Sequence, residues 1–117
     1  MPTKTFLRSR ALAFAHQGGR CYYCESPMWT TDPASFAAQY RIATSHTRQF
    51  RCTGEHLKER QHGGDDSTAN VVAACDYCNR TRHRHRPLNA PSPTDYKRRV
   101  QKGVARGTWP CVRLLAR

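Results

Sequence analysis

Apolar positions recur along Thr3 to His16 at Phe6, Leu7, Ala11, Phe14 and Ala15, near one face of a helix, with Arg8 and Arg10 elsewhere. The pattern predicts an N-terminal helix that Gly18-Gly19 stops. A second helix is expected to begin at Pro33, with Phe36, Ala37, Tyr40 and Ala43 on its inner face. From Gln49 to Leu57 the period changes to two: Phe50, Cys52 and Gly54 alternate with Gln49, Arg51 and Thr53, which predicts a strand. A polar loop, Lys58 to Ala69, contains the turn signal Gly63-Gly64-Asp65-Asp66-Ser67. Val71 to Ala74 reads as a second strand, followed by a helix from Cys75 to about Arg86 that Pro87 ends. A last helix, Asp95 to Ala105, can take its cap from Ser92 or Thr94, although Gly103 weakens it. Trp109, Val112, Leu114 and Leu115 close the chain and are expected to pack back on the core. The order is helices at both ends and a strand, loop, strand, helix unit between them, hence an α+β fold.

Length and charge narrow this picture. With 117 residues, one domain is expected, 1–117, and its small core calls for a staple. Mean hydropathy is −0.82, and no apolar run is long enough to cross a membrane. Ala11 to Ala15 is too short for the apolar region of a leader, so a cytoplasmic protein is expected. The net charge is +12, and eleven of the twenty Lys and Arg residues fall between Arg80 and Arg117, with Asp95 the single acid there. Such asymmetry points to a polyanionic partner; a solvated basic tail is the blander alternative.

Four of the six cysteines form two Cys-x-x-Cys pairs, Cys21/Cys24 and Cys75/Cys78. Two such knuckles in a chain without a leader indicate a four-thiolate structural zinc site, with a disulfide or redox pair and iron as lesser alternatives. Cys52 and Cys111 are read as small buried residues with no role assigned.

Between the knuckles, Gly54-Glu55-His56, Gly63-Gly64, Asn70-Val71-Val72 and Cys75-x-x-Cys78-Asn79 stand in an order and spacing that resemble the HNH nucleases with a ββα-metal fold, in their zinc-bearing branch. The likeness covers roughly residues 19–83, with the core taken as about 19–86 and a basic extension over 87–117. The resemblance implies a small ββα-metal core stapled by zinc. It also implies an endonuclease hydrolysing phosphodiester bonds of DNA with Mg²⁺ or Mn²⁺, nicking with low sequence specificity to leave 5′-phosphate and 3′-hydroxyl ends. His56 would be the general base, since a neutral imidazole can take a proton from water. Glu55 and the Asn79 amide oxygen would hold the cation, with His83 as a rival or third ligand. Asn70 would tie down the loop and orient the His56 ring, or simply cap a turn. The family more often has Asp where Glu55 stands.

Arg80, Arg82, Arg84, Arg86, Lys97, Arg98, Arg99 and Lys102 are the candidate nucleic-acid contacts, with Arg82 a candidate phosphate clamp. DNA is the expected partner, RNA remains open, and the chain is expected to be a monomer or homodimer or a subunit of a phage or restriction assembly. A non-catalytic zinc-ribbon-like binding module is the competing reading; Glu55-His56 with Asn79 is what pure binding does not require. Strict alternation puts Glu55 and His56 on opposite faces, so they serve one site only if the strand twists or ends there.

Overall fold

The structure, a computed structural model, describes residues 2–84 and 89–116. The predicted stop at Pro87 and the candidate contact Arg86 lie outside the described residues. Helix α1 spans Lys4–His16, capped by Thr3, whose hydroxyl accepts from the Phe6 amide. It ends as expected: Gly18 and Gly19 both take positive φ, which glycine tolerates without strain. Its inner face is the predicted one only at Phe6 and Phe14. Leu7, Ala11 and Ala15 are exposed, and the inward line runs through half-buried Phe6, buried Ser9 and half-buried Ala13 and Phe14. Hydrogen bonds set this orientation. Ser9 Oγ donates to the Asp66 carbonyl at 2.6 Å. Immediately after the helix, the side chain of the C-cap residue Gln17 donates to the Ala73 carbonyl and accepts from its amide.

Helix α2, Pro33–Tyr40, begins where predicted, with Asp32 accepting from the Ser35 amide. It ends one residue short of Ile42, because Arg41 turns left-handed, so Ile42 is buried and Ala43 is exposed. The predicted strand start is also corrected. Thr44–Phe50 is a 3₁₀ turn, and β1 is Cys52–His56. Phe50 is fully buried through that turn, against Phe36, rather than through a strand pleat.

Strand β2, Val71–Cys75, pairs antiparallel with β1 in the register Cys52↔Cys75 to His56↔Val71. Helix α3, Asp76–His83, leaves β2 directly and is shorter than expected; Cys75 Sγ caps it by accepting from the Cys78 amide. It runs along β1 in the same direction. The Asp76 amide donates to the Arg51 carbonyl at one end, and His83 reaches Glu55 at the other.

Helix α4 is Pro93–Ala105, capped by Ser92, and buries Tyr96 and Val100 one turn apart. Gly103 has a packing reason: a Cβ there would lie 3.1 Å from the Trp109 ring. Helix α5, Pro110–Leu115, carries Cys111 into the core, and Trp109, Leu114 and Leu115 pack against it as predicted. Val112, the fourth expected there, is half-buried. Among the described residues no helix is long and apolar enough to cross a membrane.

Candidate metal centre and catalytic cluster

The two knuckles meet. Cys21, Cys24, Cys75 and Cys78 are all buried, and their Sγ atoms lie within 4.8 Å of one another. The amides of Tyr23 and Cys75 both donate to Cys21 Sγ at 3.3 Å, which suits thiolate charge. Packed this closely, four thiols cannot all ionise without a cation between them. Hydrogen bonds from Cys111 and Cys21 lower the Cys24 thiol, whereas Cys111 raises Cys75 and the neighbouring sulfurs raise Cys78. A closed, buried, all-sulfur set is the donor chemistry of structural zinc, and it fits the predicted staple. Cys111, given no role from sequence, abuts this cluster, with its Sγ 4.0 Å from that of Cys75. Cys52 stands apart, and burial pushes its thiol up to about 11.

The four-cysteine cluster joins the Cys21–Cys24 knuckle to the end of β2 and the start of α3, the elements that carry the remaining polar residues. Glu55 and His56 do point to opposite sides of β1. Glu55 faces α3 and is 4% exposed. Its Oε2 accepts from Tyr23 Oη at 3.1 Å and lies 3.1 Å from Arg82 Nη1, while Oε1 lies 3.1 Å from His83 Nε2. His56 faces α1, where its ring stacks on Phe6 with centroids 5.0 Å apart. Its Nε2 is 2.8 Å from Asp66 Oδ1.

Because β1 ends at His56, both residues still line one open cavity of about 340 Å³, together with Gly54, Asn79, His83 and the Glu59–Gln61 loop. Asn79 Nδ2 donates to Thr53 Oγ1 and the Gly54 carbonyl, and among the described residues its Oδ1 has no hydrogen-bond partner. Glu55, His56, Asn79 and His83 are thus brought together as the sequence led one to expect.

Asn70 is not in this group. Its side chain accepts from the Lys58 amide and donates to the carbonyls of Lys58 and Asp65, so it ties down the loop. The expectation that it also orients the His56 ring is not met, since Asp66 makes that contact. Asp66 was missed, and its only sequence signal was membership of a polar turn. It also accepts from Thr3 Oγ1 at 2.7 Å and from Arg60 Nη2, and these bonds, the one to His56 foremost, hold its carboxyl well below the usual range.

Arg82 is a second correction. It is 3% exposed, its Nε donates to the Pro91 carbonyl at 2.8 Å, and its guanidinium is committed to Glu55 and Glu59. It is therefore not presented to solvent as a phosphate clamp. Arg80 and Arg84 remain at the surface. On α4, Arg98, Arg99 and Lys102 are exposed, and Lys97 Nζ sits 4.2 Å over the Tyr22 ring.

The family model for the HNH endonuclease matches residues 44–85. That span begins at the 3₁₀ turn and takes in β1, the loop, β2 and α3. No curated protein and no solved structure matches the chain.

Proposed function

We propose that this chain, whose residues 44–85 carry the match to HNH endonucleases, is a single-domain, metal-dependent nuclease that hydrolyses phosphodiester bonds of DNA. The observation that carries the reading is the cavity shared by Glu55, His56, Asn79 and His83, contributed by the end of β1 and one face of α3. Glu55 Oε1, Asn79 Oδ1 and His83 Nε2 would hold a divalent ion, Mg²⁺ or Mn²⁺, which when bound supplies positive charge beside the phosphate. A carboxylate, an amide oxygen and an imidazole suit Mn²⁺ at least as well as Mg²⁺, because imidazole is a softer donor than oxygen.

His56 does the proton work in this proposal. Asp66 engages Nε2, so that nitrogen carries the hydrogen and Nδ1 is the basic one. Nδ1 takes the proton of the attacking water, and the Asp66 carboxylate stabilises the imidazolium that results. Phe6 stacking fixes the ring plane. Zinc bound by the four cysteines would be enclosed by thiolates and would serve to tie the Cys21–Cys24 knuckle to the junction of β2 and α3. Exposed basic groups on α3 and α4 supply sequence-independent attraction to the backbone, consistent with nicking of low specificity.

One feature favours a second reading, a nucleic-acid-binding module without catalysis. Both oxygens of Glu55 are already engaged within the protein, by Arg82, Tyr23 and His83. Supercoiled plasmid incubated with Mg²⁺ or Mn²⁺ separates the two. Nicking by the wild type that is lost in a folded His56→Ala variant is expected; equal nicking by both removes His56 as the base, and none by either supports the binding module.

A further inference from the structure

Asp76 sits in the first turn of α3 with its side chain 5% exposed, yet three arginines from three segments surround it. Arg80 Nε donates to Oδ2 at 2.6 Å; Arg48 Nε lies 3.7 Å from the same oxygen, and Arg51 Nη2 lies 3.6 Å from Oδ1. The carboxylate is inside, whereas the guanidinium-bearing side chains are 73%, 53% and 47% exposed for Arg48, Arg51 and Arg80.

This arrangement holds more charge than the fold needs. One carboxylate suits the positive end of a helix, but three guanidiniums there leave a surplus of two positive charges where cations are unfavourable. The segment is already fastened by backbone bonds, Asp76 amide to the Arg51 carbonyl and Arg51 amide to the Arg48 carbonyl. Arg48 and Arg51 lie beyond hydrogen-bond reach of Asp76, and their guanidiniums make no hydrogen bond to another described residue. Buried Asp76 thus acts as a hub that gathers three guanidiniums against their mutual repulsion and presents their donors outward.

The cluster is aligned with the catalytic cavity. Both lie along the β1–α3 pair, the arginines at the Arg51 end and His56 at the other, roughly 17 Å apart at the usual rise per strand residue. Arg84 continues the Asp76–Arg80 ridge of α3 by one more turn, beside the Asn79–His83 ridge that faces the cavity.

We propose that Arg48, Arg51 and Arg80, organised by Asp76, form the principal dock for the sugar-phosphate backbone of duplex DNA. It leads the strand along α3 to the cavity and takes precedence over the basic face of α4. Guanidinium groups match phosphate oxygens in a bidentate fashion, and three converging ones supply a preorganised, sequence-independent contact. The proposal rests on nucleic acid being the partner, but it does not require catalysis.

The test is binding without turnover. A fluorescently labelled duplex of about two helical turns is titrated with zinc-loaded protein in the absence of added Mg²⁺ or Mn²⁺, across a series of salt concentrations. Arg48→Gln, Arg51→Gln and Arg80→Gln together should weaken binding for any sequence and lower the log–log salt slope by about 1 per arginine. Lys97→Gln with Lys102→Gln on α4 should change the slope less. Circular dichroism and zinc content show that each variant is folded. A triple variant that stays folded and keeps the wild-type slope overturns the dock, as does a larger loss from the α4 pair. Plasmid nicking is scored separately, so the dock can fail while the nuclease reading stands, and the reverse.

Discussion

His56 Nε2 and Asp66 Oδ1, ten positions apart in the chain, lie 2.8 Å from each other, and this contact fixes which imidazole nitrogen is available as a base. Asp66→Asn should leave the ring less firmly held and its charged form less stabilised. The expected result in plasmid nicking is a kcat lowered by on the order of tenfold or more with little change in KM, since general-base catalysis contributes about 10²- to 10⁴-fold. A raised KM with unchanged kcat would instead place Asp66 in substrate binding.

The same aspartate makes stability depend on acidity. Hydrogen bonds from His56, Thr3 and Arg60 lower its pKa in the folded protein below the reference value of 3.8. A depressed carboxyl stabilises the fold above its unfolded pKa, and that contribution is lost as pH falls through the lower folded value. Thermal melts of the wild type should therefore fall below pH 4 more steeply than those of Asp66→Asn. Parallel curves for the two proteins would contradict this.

Zinc should be a condition of folding rather than of catalysis alone. Cys75→Ser removes a thiolate from the buried set, and structural zinc supplies folding free energy directly. Loss of bound zinc, measured by atomic absorption, should coincide with loss of helical circular dichroism. A folded, zinc-loaded Cys75→Ser protein is the outcome that excludes the staple.

Gly54 has no room for a side chain. A Cβ there would collide with Phe6 Cζ, so Gly54→Ala must push Phe6 away from its stack on His56. Overpacking of this kind costs about 1–3 kcal/mol. Denaturant melts should show that loss, and Phe6→Leu in the same chain should restore part of it.

Arg82 and Glu55 are both nearly inaccessible, and each is the other's main compensation. Arg82→Met strands a buried carboxylate and should destabilise by about 3–5 kcal/mol, the usual cost of breaking a buried pair from one side. Adding Glu55→Gln should recover much of it. Additive losses in chemical denaturation would show that the two do not act as a pair.

The parts of this molecule legible in sequence are those governed by local chemistry. Gly18-Gly19, Asp32-Pro33 and Ser92-Pro93 mark helix ends through dihedral and capping preferences of adjacent residues. The Cys-x-x-Cys pairs and the spacing of Glu55-His56 to Asn79 indicated a metal cluster and a polar cavity that the fold brings together. What escaped depends on partners distant in the chain. Arg82 reads from sequence as a candidate phosphate clamp in the basic run of α3, and it is buried because Glu55, Glu59 and the Pro91 carbonyl converge on it. Asp66 reads as a turn residue until α1 and β1 bring Thr3 and His56 to it. The start of β1 was misplaced for a related reason: Phe50 is apolar and buried, but through a 3₁₀ turn whose sequence carries no signal distinguishing it from a strand.

Cys24 and Cys75, 51 positions apart, meet with their sulfurs at 3.9 Å. Everything from α2 to β2 hangs in the loop that this meeting closes. Closing a loop of that length in a free chain is entropically costly, and a metal clip offsets the cost only once both ends have arrived. Zinc held by the four cysteines would make assembly of the cavity at His56 and capture of the metal one event. A chain lacking the metal would then be cleared as an unfolded polypeptide, so that its abundance would follow the zinc supply.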